Sequence, residues 1–201
     1  MESNILWMLE QADTQSVVEG THWYSDAHSW ALFKAQQYGV DMEVVAAIVS
    51  ALSPRNEWTR NLYDADQLLM CYERGDHGPD LVKSATFKKN VVRAWMVREK
   101  HDPTIVMTSP KTCAFVENIT WPDGPSVTVD TWAYRIAEGD LNLPAKGLSP
   151  AKYEVYAQAY RNAAEFVSMR PCELQAITWV EARRRVKSLK RGAMHQLRLL
   201  L

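Results

Sequence analysis

The sequence predicts an all-α fold, formed as one compact helical domain over residues 1–201. In most segments the apolar residues recur at three- and four-residue spacing, as on a helix with one buried face. Helix-starting Ser-Pro pairs stand at Ser109 and Ser149, and each is followed by such a run. Alternating apolar and polar stretches are scarce, and residues 126–129 form the one plausible extended segment.

Five helices are predicted in the first half of the chain, over about 5–11, 25–38, 42–52, 57–74 and 84–100. Residues 20–24, which read Gly-Thr-His-Trp-Tyr, are predicted as an aromatic loop, after which Ser25 or Asp26 caps the second helix. Gly39 ends that helix. Asp41 caps the third helix, whose faces are almost entirely apolar, as expected of a buried central helix.

Four further helices are predicted, over about 109–119, 130–138, 149–167 and from 171 onward. Pro103 separates the first of these from the helix before it, residues 121–125 form a turn, and residues 141–148 form a loop. Neither a repeat nor a low-complexity stretch divides the chain. The helices are compatible with two lobes around a cleft.

The composition is that of a globular protein with no membrane partner. The chain is 47% apolar and 23% charged, and its net charge of −1 excludes a uniformly basic polyanion binder. The longest apolar run, residues 44–52, is too short to cross a membrane, and the first residues lack the basic flank of a signal peptide. Three scattered cysteines fit a reducing compartment. We expect a cytoplasmic protein, in the host cytoplasm if a phage encodes it; the oligomeric state does not follow from the sequence.

Two predicted helix starts carry residues suited to catalysis. Lys111 lies in the first turn of the helix that begins at Ser109. Asp130, which is 19 positions after Lys111, caps the next predicted helix. A lysine amine beside a carboxylate can act as an activated nucleophile. Each residue also has a structural interpretation, because carboxylates are common N-caps and lysines are common on exposed helix turns.

Three segments carry a family resemblance: residues 51–61 (Ala-Leu-Ser-Pro-Arg-Asn-Glu-Trp-Thr-Arg-Asn), 110–114 (Pro-Lys-Thr-Cys-Ala) and 129–136 (Val-Asp-Thr-Trp-Ala-Tyr-Arg-Ile). They resemble the Leu-Leu-Ser-x-Gln, Gly-x-Lys-Thr-Ala and Val-Asp-Thr-His-x-x-Arg-Val motifs of the helix-hairpin-helix DNA glycosylase superfamily, and of endonuclease III in particular. Their order and spacing agree over a motif-bearing core at about 40–140.

The chain departs from this family at several positions. The family's hairpin glycines, which let backbone N–H groups approach a DNA phosphate, are missing from residues 105–109. Arg55 replaces the family's glutamine, and Trp132 replaces its histidine. Three cysteines cannot supply the four ligands of the family's iron–sulfur cluster, and His22 and His28 do not form a metal motif. No cluster, no metal and no cofactor is therefore expected.

The resemblance implies a DNA glycosylase-like enzyme that takes a base out of the helical stack and cleaves its N-glycosidic bond. Asp130 would stabilise the positive charge that develops on the sugar, or activate the attacking group. Lys111 would be the nucleophile if the enzyme also cleaves the strand, and otherwise water attacks. The partner would be DNA, including single-stranded or modified DNA.

Further residues are expected to contact the nucleic acid: Arg55, Asn56, Trp58, Asn61, Ser109, Thr112, Trp132, Arg135, Arg183 and Arg184. The last two belong to a basic C-terminal helix and tail at about 172–201. From residue 170 onward, eight Lys or Arg stand against two Glu, a pattern typical of nucleic-acid binding but also of a solvated helix face.

Three alternatives remain open at this stage. A phage base-hypermodification enzyme would use the same fold and leave the glycosidic bond intact. A non-catalytic module would bind nucleic acid or a host factor and would not depend on Asp130. A helical protein with a chance motif match would have no affinity for DNA.

Overall fold

Helix caps and apolar periodicity account for most of the observed secondary structure. The computed structural model of the chain describes residues 1–76 and 78–199, with side chains as far as residue 189. The helices are α1 (Glu2–Glu10), α2 (Thr14–Tyr38), α3 (Met42–Leu52), α4 (Trp58–Glu73), α5 (Lys88–Lys100), α6 (Pro110–Thr120), α7 (Thr131–Glu138), α8 (Pro150–Phe166) and α9 (Pro171–Leu199). The described residues contain no strand, which confirms the all-α prediction, and residues 126–129 have no regular secondary structure.

The predicted aromatic loop at 20–24 is wrong, because these residues lie inside α2. Ser25 and Asp26 therefore cap nothing. Gly20 explains the difference: a Cβ atom at this position would lie 2.4 Å from the Cα atom of Ile177. The glycine lets α2 pack directly on the backbone of α9, and this tertiary contact outweighs the low helix propensity of glycine.

The helix predicted from residue 84 begins instead at Lys88. The Ser84 hydroxyl and the Ala85 N–H both donate to the carboxylate of Asp64, at 2.8 and 2.9 Å. These hydrogen bonds hold Ser84 and Ala85 in a loop. The local sequence does not predict them, because Asp64 is about 20 positions away. Two short 3-10 turns, Pro79–Leu81 and Pro103–Ile105, lie between the predicted helices.

Backbone contacts divide the chain into two compact units. Unit 1 consists of residues 1–25 and 123–201, and unit 2 consists of residues 26–122. In unit 1, α1 packs on α7, α8 and α9. Residues of α2 contribute to both units.

In unit 2, α3 is the central helix and packs on α4, α5 and α6. Every residue from Val44 to Leu52 is buried, which confirms the prediction of a central apolar helix. Gly39 ends the preceding helix at φ +60°, as predicted. Asp41 occupies the N-cap position of α3, although its side chain forms no capping hydrogen bond within the described structure.

Across the described residues, every helix is too short or too polar to span a lipid bilayer.

Candidate active site

The segment that leads into α7 is positioned by one buried tyrosine of α8. The Tyr153 hydroxyl donates to the carbonyl oxygen of Val127 at 2.7 Å and accepts from the Val129 N–H at 3.0 Å. Both backbone groups of a segment without regular structure are thereby satisfied inside the protein. The backbone arrives at Asp130 in an extended conformation, with φ −91° and ψ −172°, from which α7 begins.

Asp130 caps α7, as the sequence predicts. Its Oδ1 atom accepts from the N–H groups of Trp132 and Ala133, each at 2.9 Å. Its Oδ2 atom accepts from the indole Nε1–H of Trp179 at 3.2 Å. The carboxylate is half-buried and lies at the positive end of the α7 dipole.

Trp179 belongs to an aromatic and cationic cluster beside this carboxylate. Its ring meets that of Trp23 edge-on, with centroids 4.8 Å apart and planes at 60°. The guanidinium of Arg183, one turn further along α9, lies 4.3 Å from the centre of the Trp179 ring. All three side chains are half-buried, so the rings and the guanidinium are partly exposed to solvent. We call Asp130, Trp23, Trp179 and Arg183 the Asp130 cluster.

A second cation–aromatic pair lies on α7 itself. The guanidinium of Arg135 is 5.2 Å from the centre of the Trp132 ring, and its Nε–H donates to the carbonyl oxygen of Leu143 at 2.7 Å. Both residues are half-buried and share unit 1 with Asp130. Of the residues expected to contact DNA, four thus belong to the same unit as the predicted catalytic carboxylate: Trp132, Arg135, Arg183 and Arg184.

Tyr160 lies behind the start of α7 and is fully buried. Burial raises its pKa well above the ordinary value for tyrosine, and the negative charge of Asp130 raises it further. Its hydroxyl donates to the carbonyl oxygen of Ala133 at 3.4 Å. At neutral pH this tyrosine is a neutral hydrogen-bond donor and does not serve as a base.

Lys111 belongs to unit 2, where it is an exposed residue in the first turn of α6. The Ser109 hydroxyl accepts from the Thr112 N–H at 3.3 Å, and the Thr112 hydroxyl accepts from the Ser109 N–H at 3.1 Å. This reciprocal capping box fixes the turn that carries the lysine. Ser109 and Thr112, both expected to contact DNA, therefore have a structural role in this turn.

The asparagines of the upstream motif face the protein interior. The Asn61 side chain is 1% exposed, and its amide donates to the Val49 carbonyl oxygen at 3.1 Å, which ties α4 to α3. The Asn56 amide donates to Asp64 Oδ2 at 3.0 Å. Arg55, by contrast, is exposed. Trp58 is half-buried at the first position of α4.

Part of the basic stretch on α9 is neutralised within unit 1. Arg184 forms an ion pair with Asp13, whose pKa its guanidinium lowers to about 2, and also donates to the Ser16 hydroxyl at 2.7 Å. Arg185 donates to Glu181 at 2.6 Å. The side chains of the remaining basic residues of the predicted tail, from residue 190 onward, lie outside the described residues.

Sequence reasoning missed Trp23 and Trp179 as neighbours of Asp130. Neither residue is among those that the sequence predicts to contact the nucleic acid. One signal was available: Trp179 and Arg183 are four residues apart, a spacing that places a ring and a guanidinium on one helix face. The pairing of Trp179 with Asp130, 49 positions earlier, has no local signal.

No group of three His, Cys, Asp or Glu side chains in the described part of the chain is arranged to hold a metal ion. Cys71, Cys113 and Cys172 form no disulfide.

Comparison with known proteins gives one family. The family described as "Family of unknown function (DUF7178)" matches residues 1–186, a range that includes the whole Asp130 cluster and Lys111. No curated protein and no solved structure matches the chain.

Proposed function

The chain belongs to the DUF7178 family of unknown function, and from the Asp130 cluster we propose that it is a DNA glycosylase-like enzyme. One observation carries the proposal: a half-buried carboxylate at a helix start accepts from the Trp179 indole, which itself contacts a second indole ring and a guanidinium. A nucleobase outside the stack needs a flat apolar surface, and the sugar phosphate beside it needs a cation. The departing base leaves positive charge on the sugar, which a carboxylate stabilises.

In this mechanism the base leaves the stack and packs against the indole surface of Trp23 and Trp179. Arg183 binds the adjacent phosphate. As the N-glycosidic bond lengthens, Asp130 stabilises the oxocarbenium-like sugar from one side. The base departs and takes a proton from solvent, water adds to the anomeric carbon, and the proton that this water loses passes to solvent.

Lys111 has a role only if strand cleavage accompanies base release. Its amine would then replace water, attack the anomeric carbon and form a Schiff base with the opened sugar. Among the described residues no carboxylate forms an ion pair with Lys111. The lysine and the Asp130 cluster belong to different units, so we propose each role separately.

A base-hypermodification enzyme on the same fold is the second candidate. None of residues 105–109 adopts a positive φ, so the glycine-type turn that binds duplex phosphate in glycosylases is not formed here. Arg93 instead donates to the carbonyl oxygen of Ile105 at 2.7 Å and ties this turn to α5. A reaction on DNA other than duplex repair is compatible with this turn, and an intact glycosidic bond in a modified product would identify it.

The experiment is incubation of the protein with single-stranded and duplex DNA that carries a panel of damaged and modified bases. Released bases and altered nucleosides are identified by mass spectrometry, and covalent adducts are trapped with borohydride. Asp130→Ser keeps an N-capping oxygen but removes the carboxylate, so base release should fall by at least about 100-fold. Ser149→Ala removes an N-cap of α8 in the same unit, should lower stability by about 1 kcal/mol, and should leave base release intact.

Lys111→Ala should abolish the trapped adduct if the lysine is the nucleophile. Lys152→Ala is the matched control, because Lys152 is an exposed lysine in the first turn of another Ser-Pro helix. Base release without an adduct would leave Asp130 and water as the catalytic pair. A modified base without release would transfer the proposal to the hypermodification enzyme. DNA binding that is indifferent to Asp130→Ser, with no product, would make the protein a binding module.

A further inference from the structure

Unit 2 contains a buried carboxylate that fixes two loops at once. Asp64 is 0% exposed, and its Oδ2 atom accepts from the Asn56 amide at 3.0 Å, the Ser84 hydroxyl at 2.8 Å and the Ala85 N–H at 2.9 Å. Its Oδ1 atom accepts from the Arg60 Nε–H at 2.6 Å. Asn56 belongs to the loop before α4, and Ser84 and Ala85 belong to the loop before α5, so one side chain sets the position of both.

A second contact joins the same two loops. The Thr86 hydroxyl donates to the carbonyl oxygen of Pro54 at 2.8 Å and accepts from the Asn90 amide at 3.0 Å. These bonds leave Arg55 between two tethered neighbours, Pro54 and Asn56. Arg55 has φ +58°, an uncommon conformation for a residue other than glycine, which persists only where the surroundings enforce it.

The tethered loops present an exposed ring with cations beside it. The Phe87 side chain is 45% exposed. The guanidinium of Arg55 lies 5.3 Å from the ring centre, and the ammonium of Lys89 lies 6.0 Å from it. The Phe87 ring is therefore exposed at the end of a loop that hydrogen bonds hold in place, and cations lie near it. An exposed aromatic ring with neighbouring cations is the combination on which single-stranded bases stack.

A similar pair is anchored on the same carboxylate. Arg60, which donates to Asp64, places its guanidinium 5.1 Å from the ring centre of Tyr63, and Tyr63 is 52% exposed. Two exposed rings, each with its own guanidinium, are thus fixed through Asp64. Exposed cations outnumber exposed carboxylates over residues 54–63 and 80–89, where Lys83 and Lys88 are also exposed. The exposed acids are Glu57 and Asp80, and the Asp80 carboxylate pairs with the Lys88 ammonium at 2.7 Å.

We propose that this surface binds single-stranded nucleic acid. It consists of Arg55, Arg60, Tyr63, Phe87 and Lys89, and we call it the Phe87 surface. Stacking on an exposed ring requires a base with a bare face, which a single strand offers and a duplex does not. The neighbouring guanidinium and ammonium groups suit the phosphates on either side of the stacked base. The inference rests on the proposed function, because it names a single strand as the form of DNA that this enzyme takes.

The test is fluorescence anisotropy with a labelled oligothymidine, at several salt concentrations. Phe87→Ala should weaken binding about 5- to 100-fold, as expected for the loss of one stacked base. Phe33→Ala is the matched control, because Phe33 is also exposed in unit 2 and also lies near a lysine, with Lys34 at 5.5 Å from the ring centre. The control should bind as the unmodified protein does.

Arg55→Gly separates binding from stability. Glycine accommodates φ +58° without strain, so the variant should unfold at the same temperature or higher. It should nevertheless bind the strand more weakly, and the slope of log affinity against log salt should fall by about 0.7, which corresponds to one lost phosphate contact.

Three results would overturn the inference: Phe87→Ala binding as tightly as the unmodified protein, a duplex of the same sequence binding as tightly as the single strand, or polyglutamate competing as well as unlabelled strand. The last result would assign the surface to an acidic polypeptide. Phe87-dependent binding with no base release would keep this inference and reject the proposed catalysis. If Phe87→Ala changed neither the affinity for the strand nor the rate of base release, the proposed catalysis would stand and this inference would be rejected.

Discussion

The indole N–H of Trp179 donates to Asp130 Oδ2 over 3.2 Å and thereby joins the N-cap of α7 to α9. Because Oδ1 caps α7, the two carboxylate oxygens serve two different helices. An asparagine at this position has only one acceptor oxygen, so its NH₂ donor would face either the N–H donors of the helix or the N–H donor of the indole. Serine, which caps without a second polar group, is for that reason the cleaner replacement in the test of catalysis.

Replacing Trp179 with phenylalanine keeps an aromatic ring beside Trp23 and Arg183 but removes the donor to Asp130. A hydrogen bond to a charged group contributes roughly 1.5–3 kcal/mol, so the free energy of unfolding should fall by about that amount. Urea denaturation measures the change. Trp121→Phe, at a ring that is 62% exposed, should change the free energy by less than about 0.5 kcal/mol. Equal losses in the two variants would show that the indole N–H contributes nothing specific.

Replacing Tyr153 with phenylalanine leaves the Val129 N–H and the Val127 carbonyl oxygen without their shared hydroxyl. Unsatisfied buried groups destabilise by about 1–3 kcal/mol, and the segment before Asp130 should loosen. Urea denaturation gives the first quantity, and hydrogen exchange at Val129 gives the second. The reference is Tyr63→Phe, at a half-exposed ring in unit 2. Slow exchange at Val129 in the Tyr153 variant would contradict the positioning role of this tyrosine.

Replacing Gly20 with alanine forces a methyl group to within 2.4 Å of the Ile177 Cα atom. Alanine favours a helix over glycine by about 1 kcal/mol, but overpacking against backbone costs more, so we expect a net loss of roughly 1–3 kcal/mol. Thermal unfolding measures it. Gly147→Ala, where a Cβ atom meets open space and φ is not positive, should be neutral or slightly stabilising. A stable Gly20 variant would mean that α2 and α9 can separate without loss.

Replacing Asp64 with asparagine should destabilise unit 2 by at least about 2 kcal/mol, because an amide can accept from only some of the four donors that face the carboxylate. Urea denaturation at neutral pH measures the loss. Asp26→Asn, at an exposed position of α2, should have little effect.

The same variant carries an expected pH dependence. Burial alone would raise the pKa of Asp64, but hydrogen bonds from Ala85, Ser84, Asn56 and Arg60 outweigh it, and the native pKa is lowered. The carboxylate therefore stabilises the fold fully above its unfolded pKa of about 4, and this stabilisation is lost as the pH falls through the native pKa. The difference in unfolding free energy between the two proteins should shrink below about pH 4. A constant difference from pH 7 to pH 3 would reject Asp64 as the titrating group.

The sequence predicts most helix boundaries because these are set within a few residues. The Ser-Pro pairs at Ser109 and Ser149, the glycine at residue 39 and the apolar stretch of α3 act locally, and each boundary they predict lies within a few residues of the observed one. Gly20 shows the limit of this reasoning. Its place inside α2 depends on the backbone of Ile177, which is 157 positions away in sequence and has no signature near residue 20.

The candidate site likewise has one part that the local sequence predicts and one part that depends on how distant helices pack. Asp130 as an N-cap follows from the residues around it, whereas its bond to Trp179 follows only from how α7 and α9 pack. The number of unpaired cations in the basic stretch of α9 cannot be read from the local sequence, for the same reason. The partner of Arg184 is Asp13, near the other end of the chain, so a count of local charge overstates the free cations.

The order of the two units along the chain sets the order in which they can fold during synthesis. All of unit 2, residues 26–122, emerges from the ribosome before the second segment of unit 1 does. At that stage α1 has emerged, but its partners α7, α8 and α9 have not. Unit 2 can therefore fold on the nascent chain, while the apolar face of α1 stays uncovered until α7, α8 and α9 have emerged. Premature termination near residue 122 would release a product with a complete unit 2 and an exposed first helix, which makes it a substrate for chaperones and proteases.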